Sequence, residues 1–194
     1  MTELTSAYWQ ARWEAGNTPW DMGGPSPALI EYVAQRPEKD MRVLIPGAGS
    51  GHEAIWLREN GYPNVSVLDI AESAFDGLRK HADGFPENQL INEDFFSHAG
   101  TYDLILEQTF FCALDPEMRP AYATKMHELL APGGTLAGLL FDFPLAAGPP
   151  FGGSVEEYRS YFEPFFEVKT MQRATNSIKP RAGSELFFIL KRKN

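Results

Sequence analysis

Short apolar runs alternate with amphipathic stretches along most of the chain, and this alternation predicts strands and helices in turn. Residues 42–45 (RVLI) read as a buried strand, and residues 51–60 as a helix stopped by Gly61. Residues 64–70 (NVSVLDI) form the next strand and 72–82 the next helix. Residues 89–92 are a short strand and 102–107 (YDLILE) a longer one. Pro116 opens a helix to Leu130, at a first turn where its missing N–H does no harm. Pro132-Gly133-Gly134 then turns into residues 135–143, a strand too apolar to face water on either side.

Such alternation implies a parallel sheet with helices on both faces. The end of the chain differs. Residues 165–172 and 185–192 are two strands with a helix (154–162) before them and none between, which predicts an antiparallel hairpin at one sheet edge. The expected fold is therefore α/β and Rossmann-like. It is expected as one domain, 1–194, with residues 1–36 as a helical arm.

The first strand runs into Pro46-Gly47-Ala48-Gly49-Ser50-Gly51-His52 and then a helix. Glycines serve where the backbone turns sharply and where a ligand lies against the main chain. The spacing is G-x-G-x-G; a dinucleotide fingerprint would need glycine where His52 stands. A pyrophosphate sits on a helix N-terminus, whereas S-adenosylmethionine has no phosphate and needs room for its amino-acid tail and ribose. Asp69, at the end of the second strand, can accept both ribose hydroxyls. Glu93-Asp94-Phe95 follows the third, where a carboxylate can meet an adenine amino group and Phe95 can flank the ring. Taken singly, the triplet is an ordinary tight turn and the aspartate a helix cap. In this order, at successive strand ends, they mark a nucleoside crevice.

Three of the four tryptophans lie in the arm. Trp9 and Trp13 share one face of the first helix, and Trp20 follows in a turn-rich stretch. Each can simply fasten the arm to the core. Together they can also form a lid over a sulfonium, a cation that aromatic faces hold by about 0.5–2 kcal/mol. Trp20, beside two turns, is expected at the reacting centre.

Composition narrows the partners. The formal net charge is −9, and no basic footprint that tracks phosphates is present apart from Lys191-Arg192-Lys193, so nucleic acid is not expected. A single cysteine, Cys112, permits neither an intrachain disulfide nor a cysteine-based zinc set. No secretory signal is read at the N-terminus and no apolar run spans a bilayer, so the expectation is a cytoplasmic monomer acting on a small molecule.

Trp9-x3-Trp13-x2-Gly16-x-Thr18-Pro19-Trp20-Asp21 resembles the first segment of the thiopurine methyltransferase family, which includes plant halide and thiol methyltransferases. The resemblance continues through Leu68-Asp69-Ile70 and Tyr102-Asp103-Leu104-Ile105. It is strongest at Phe110-Phe111-Cys112-Ala113, Pro116-Glu117-Met118-Arg119-Pro120 and Gly148-Pro149-Pro150-Phe151. It implies a seven-stranded Rossmann-like sheet and S-adenosylmethionine as donor. Carried over, it places Trp9, Trp13 and Trp20 around the cofactor. Gly47, with Gly49 beside it in the loop, then lies under the amino-acid tail, Asp69 on the ribose and Asp94 near the adenine. Gln108 falls where plant members have Tyr and thiopurine enzymes Arg, and is expected to touch cofactor or acceptor. The plant branch is the nearer match, so a thiol, bisulfide or halide is the first acceptor expected and an aromatic thiol the second.

No acid/base catalyst emerges from the residues. His52 reads as a helix-start hydrogen-bonder, and His81, His98 and His127 as surface or capping positions. Cys112 reads as inert packing, and Glu107 and Asp142 as loop anchors or acceptor-side groups. Arg119 reads as a structural ion pair or a partner for an acidic acceptor. Phe110, Phe111, Phe141, Phe143 and Phe151 are candidates for an apolar acceptor wall, and residues 173–181 for a loop reaching over the pocket. Two other classes stay open: a nicotinamide oxidoreductase, which His52 and the terminal hairpin oppose, and a cofactor-binding domain without catalysis.

Overall fold

The strand-forming runs assemble into one seven-stranded sheet. The computed structural model describes residues 4–47, 49–82 and 84–194. In chain order the elements are α1 (Ser6–Glu14), α2 (Pro27–Ala34), β1 (Val43–Pro46), α3 (His52–Glu59), β2 (Val65–Asp69), α4 (Asp76–His81) and β3 (Leu90–Asn92). They continue with β4 (Tyr102–Gln108), α5 (Arg119–Leu129), β5 (Leu130–Phe141), α6 (Val155–Phe162), β6 (Phe166–Arg173) and β7 (Glu185–Arg192). The strand order is β3-β2-β1-β4-β5-β7-β6. The first five strands pair in parallel, while β7 runs antiparallel between β5 and β6.

Alternation along each strand decides which helices cover which face. Leu44, Ile105, Leu136 and Leu140 pack with Tyr122, Met126 and Phe162 of α5 and α6. Their neighbours Val43, Ile45, Leu104 and Leu106 pack on the other face with Leu29, Val33, Leu57 and Leu78 of α2, α3 and α4. Each such aliphatic side chain contributes roughly 1.5–3 kcal/mol by leaving water. Two buried faces explain why the central strands are apolar throughout.

Three expected boundaries move. The helices expected at 72–82 and 116–130 each begin with a 3-10 turn, Glu72–Phe75 and Pro116–Met118, before the α-helix proper. Pro132-Gly133-Gly134 does not separate a helix from a strand. It lies inside β5, which starts at Leu130 opposite Tyr102 and resumes its register at Thr135 opposite Leu104. The glycine turn is thus a bulge within a longer strand.

β1 has β2 on one side and β4 on the other, so the direction of winding reverses between β1 and β4. At such a switch point the loops leave on opposite faces and a crevice opens at the carboxyl ends of the strands. The loop after β1 lies there, with Gly47, Gly49 and Gly51 all left-handed. At Gly51 the requirement is twofold: φ is +73°, and a Cβ would run into the Leu78 side chain. Gly51→Ala is therefore expected to lower stability by about 2–3 kcal/mol, the sum of a left-handed residue and local overpacking. Urea denaturation checks this, and an unchanged midpoint refutes it.

Candidate active site

A cavity of about 1030 Å³ occupies the switch point, at the upper end of the size range for small-molecule sites. Trp9, Trp13, Trp20, Gly47, Gly49, Asp69, Asp94 and Phe95 all line it. The glycine loop forms its floor. A Cβ on Gly47 would come within 2.8 Å of the Phe110 ring, whereas one on Gly49 would meet only a backbone oxygen, 4.0 Å away. Gly47 thus admits Phe110 and Gly49 leaves main chain open to a ligand.

The two carboxylates stand at the ends of β2 and after β3. Asp69 accepts the Ala71 N–H at 2.8 Å, and Asp94 accepts the Phe96 N–H at 2.8 Å. These turns hold each carboxylate in place. Phe95 is 3% exposed and meets Phe110 edge to face, with ring centroids 5.1 Å apart.

The arm roofs the cavity through its tryptophans, which are half-buried. Trp20 stands edge-on to Trp9 at 5.6 Å and to Trp13 at 5.5 Å, and the Arg12 guanidinium lies 5.4 Å from its ring centre. Polar ties hold this roof down. Ser6 Oγ donates to the Ile70 carbonyl at 3.0 Å, and Arg181 donates to the Trp20 carbonyl at 2.8 Å. Asp21 accepts hydrogen bonds from Ser50 and, at 2.8 Å, pairs with His52 Nε2. Burial alone would raise the Asp21 pKa, but Ser50, the Gly23 N–H and His52 outweigh it and hold it below the ordinary value. His52 is thus a helix-start hydrogen-bonder, as read, with the arm as its partner.

Several side chains sit elsewhere than expected. Gln108 is not among the lining residues; its Nε2 lies 3.9 Å from Met22 Sδ and its buried Oε1 has no hydrogen-bond partner. His98 is no surface position. It is 5% exposed, bonded to Glu93 and, at 2.8 Å, to the Tyr102 hydroxyl. Phe110 and Phe141 line the cavity, while Phe111 is buried in the core and Phe143 and Phe151 are not among the lining residues.

Other groups resolve toward structure. Asp142 pairs with Arg173. Arg119 is fully buried and pairs with Glu157 at 2.6 Å; a second nitrogen donates to the Gly152 carbonyl at 2.8 Å, and the guanidinium lies 4.8 Å from the Phe111 ring centre. Cys112 lines the cavity, but its thiol donates to the Thr109 carbonyl at 3.4 Å and burial pushes its pKa up, so it stays protonated. Sequence reasoning gave no role to Arg12, Pro149 or Pro150, all of which reach the cavity. For Pro149 and Pro150 the motif itself was the signal; for Arg12 there was none beyond its place between Trp9 and Trp13.

A large cavity over a G-x-G-x-G loop, at the switch point of a seven-stranded sheet ending in an antiparallel hairpin, defines a Rossmann-like α/β domain with a small-molecule site. Comparison with known proteins makes this specific. The family model for thiopurine S-methyltransferase matches residues 4–187. A probable thiol methyltransferase 2 of Arabidopsis thaliana is 36% identical over 192 residues, 95% of this chain and 84% of that protein. A thiocyanate methyltransferase 1 of Brassica oleracea is 35% identical over 188 residues, covering 91% and 81%. In fold, the chain is similar to a Burkholderia thailandensis 1,6-didemethyltoxoflavin-N1-methyltransferase solved with S-adenosylhomocysteine. That match has a TM-score of 0.74 at 19% identity and covers 97% of this chain and 87% of the other. The chain belongs to the thiopurine S-methyltransferase family and is an S-adenosylmethionine-dependent methyltransferase.

Proposed function

We propose that this enzyme methylates a small soft nucleophile (a thiol, bisulfide or halide) within the cavity over the glycine loop. The observation that carries this reading is the character of the described lining: aromatic and apolar side chains with two arginines, no histidine, and a Cys112 thiol that is protonated and bonded. Asp69 and Asp94 are assigned to the cofactor rather than to proton transfer. An acceptor that brings its own charge and lone pair needs no base. The names of the plant relatives, thiol and thiocyanate methyltransferases, support the same acceptor class.

The residues divide the work by chemistry. S-adenosylmethionine, when bound, supplies an electrophilic sulfonium methyl. Asp69 would hold its ribose, Asp94 and Phe95 its adenine, and Gly47 and Gly49 would leave room for its amino-acid tail. Trp9, Trp13 and Trp20 exclude water, with the arm (1–36, of which 1–3 lie outside the described residues) acting as a lid. Gln108, whose buried Oε1 needs a donor, serves the cofactor end. Exclusion of water favours a step in which opposite charges cancel, and holding nucleophile and methyl in line supplies much of the remainder. Arg12 and Arg181, the arginines among the lining residues, favour an anionic acceptor.

An aromatic thiol is the second reading, favoured by a cavity large enough to take a ring beside the cofactor. Methylation of iodide, bisulfide and an aromatic thiol measured in parallel separates the two. Turnover is expected with bisulfide or iodide at least as efficient as with the aromatic thiol, and turnover of the aromatic thiol alone overturns the first reading. The single cysteine accords with a reducing, cytoplasmic setting. Among the described residues no helix is long and apolar enough to cross a membrane.

A further inference from the structure

Glu107 is a carboxylate near the switch point that the reaction leaves unused, and it is wholly buried. It is the penultimate residue of β4, two before Thr109 in the cavity wall, and is not itself among the lining residues. Its Oε1 accepts the Phe110 N–H at 2.8 Å and the Phe111 N–H at 2.9 Å, and its Oε2 accepts the Tyr122 hydroxyl at 2.5 Å. Space for it comes from β5, where a Cβ on Gly138 would overlap the Glu107 side chain.

These bonds act on strained backbone. Thr109, between Gln108 and Phe110, has φ +58°, and it is the only non-glycine residue with positive φ among those described. Such a conformation is unfavourable for a β-branched residue and persists only where its surroundings hold it. Glu107 holds the two amides that follow. Those amides place the Phe110 ring against Gly47 and Phe95, the floor and side of the crevice.

We propose that Glu107 is a positioning residue whose carboxylate sets the Thr109–Phe111 turn and, through Phe110, the shape of the cofactor crevice. The proposal rests on the assignment of that crevice to the cofactor. Ionised, the carboxylate accepts all three donors. Protonated, it is a weaker acceptor and has a proton of its own to place, for which the Tyr122 oxygen is the near partner. The turn is then held less tightly. Burial pushes the Glu107 pKa up to about 7, against the three hydrogen bonds that favour the ionised form. The titratable side chains facing it are Tyr122 from α5 and Cys112 from the turn, both raised by burial and neutral in this range; β5 presents Gly138.

Two opposite pH trends follow. The folded pKa lies above the ordinary 4.5, so the stability the neutral carboxyl contributes is full below 4.5 and lost as pH rises through about 7. Cofactor affinity moves the other way, improving as the carboxylate forms.

The test titrates S-adenosylhomocysteine into wild type, Glu107→Gln and Tyr122→Phe by calorimetry between about pH 6 and pH 8, with melting temperatures alongside to confirm folding. Wild-type Kd is expected to rise about ten-fold toward the acid end, the equivalent of one weakened hydrogen bond. Glu107→Gln is expected to remove most of that dependence. Tyr122→Phe, which strips a bond from the ionised form, is expected to move the midpoint to higher pH. A purely space-filling Glu107 would give parallel wild-type and Gln profiles, and that result, or a flat wild-type profile, overturns the proposal. Failure of wild type to bind at any pH would instead remove the cofactor assignment. If Glu107→Gln does not fold, Tyr122→Phe alone decides, with an unmoved midpoint counting against.

Discussion

Arg119→Ala is expected to destabilise the folded chain by about 3–5 kcal/mol, the usual loss when one partner of a buried ion pair is removed. The mechanism has three parts. Glu157 keeps its charge without its 2.6 Å partner, the Gly152 carbonyl loses its donor, and a gap opens beside Phe111. Because Arg119 bonds the Gly152 carbonyl two residues after the lining Pro149-Pro150 pair, that side of the cavity, proposed here for the acceptor, is expected to loosen with it. Urea denaturation reads the first effect, and acceptor KM at saturating cofactor reads the second. Arg119→Met keeps volume without charge and is expected to lose distinctly less stability. An alanine variant as stable as wild type would mean that the pair does not brace the loop.

Asp69→Ala is expected to reduce affinity for S-adenosylhomocysteine about a hundred-fold with little change in the melting temperature. Hydrogen bonds to a charged group contribute about 1.5–3 kcal/mol each, and two ribose hydroxyls are available to it. Asp69→Asn keeps one acceptor oxygen and should fall between. Asp69 also accepts the Ala71 N–H, so circular dichroism must show the turn after β2 intact in each variant. Wild-type affinity in Asp69→Ala would place the ribose elsewhere.

What could be read from residues was what depends on local order. Strand and helix periods, the Gly47–Gly51 loop, and carboxylates at strand ends are short-range patterns, and the structure gathers Asp69, Asp94, Phe95 and the three arm tryptophans around one cavity. The partners of Glu107, Arg119 and Arg181 were not legible, even where a loop anchor or an ion pair was expected, because the fold brings them in from a distance. Tyr122 lies 15 residues from Glu107, Glu157 lies 38 from Arg119, and Trp20 lies 161 from Arg181. Gln108 was singled out by its place in the motif alone; in the fold its neighbour Thr109 takes the lining position, a one-residue difference that local order does not encode. The bulge in β5 escaped for a related reason: Pro-Gly-Gly has the same composition whether it links two elements or interrupts one.

The position of β7 has a consequence for how the molecule is held together. The seventh strand in chain order is not an edge; it slots between β5 and β6 and pairs with both. Without it, β6 has no neighbour to bond. A truncation just before Arg181 would thus cost the sheet two strands rather than one and also remove the guanidinium that fastens the Trp20 carbonyl.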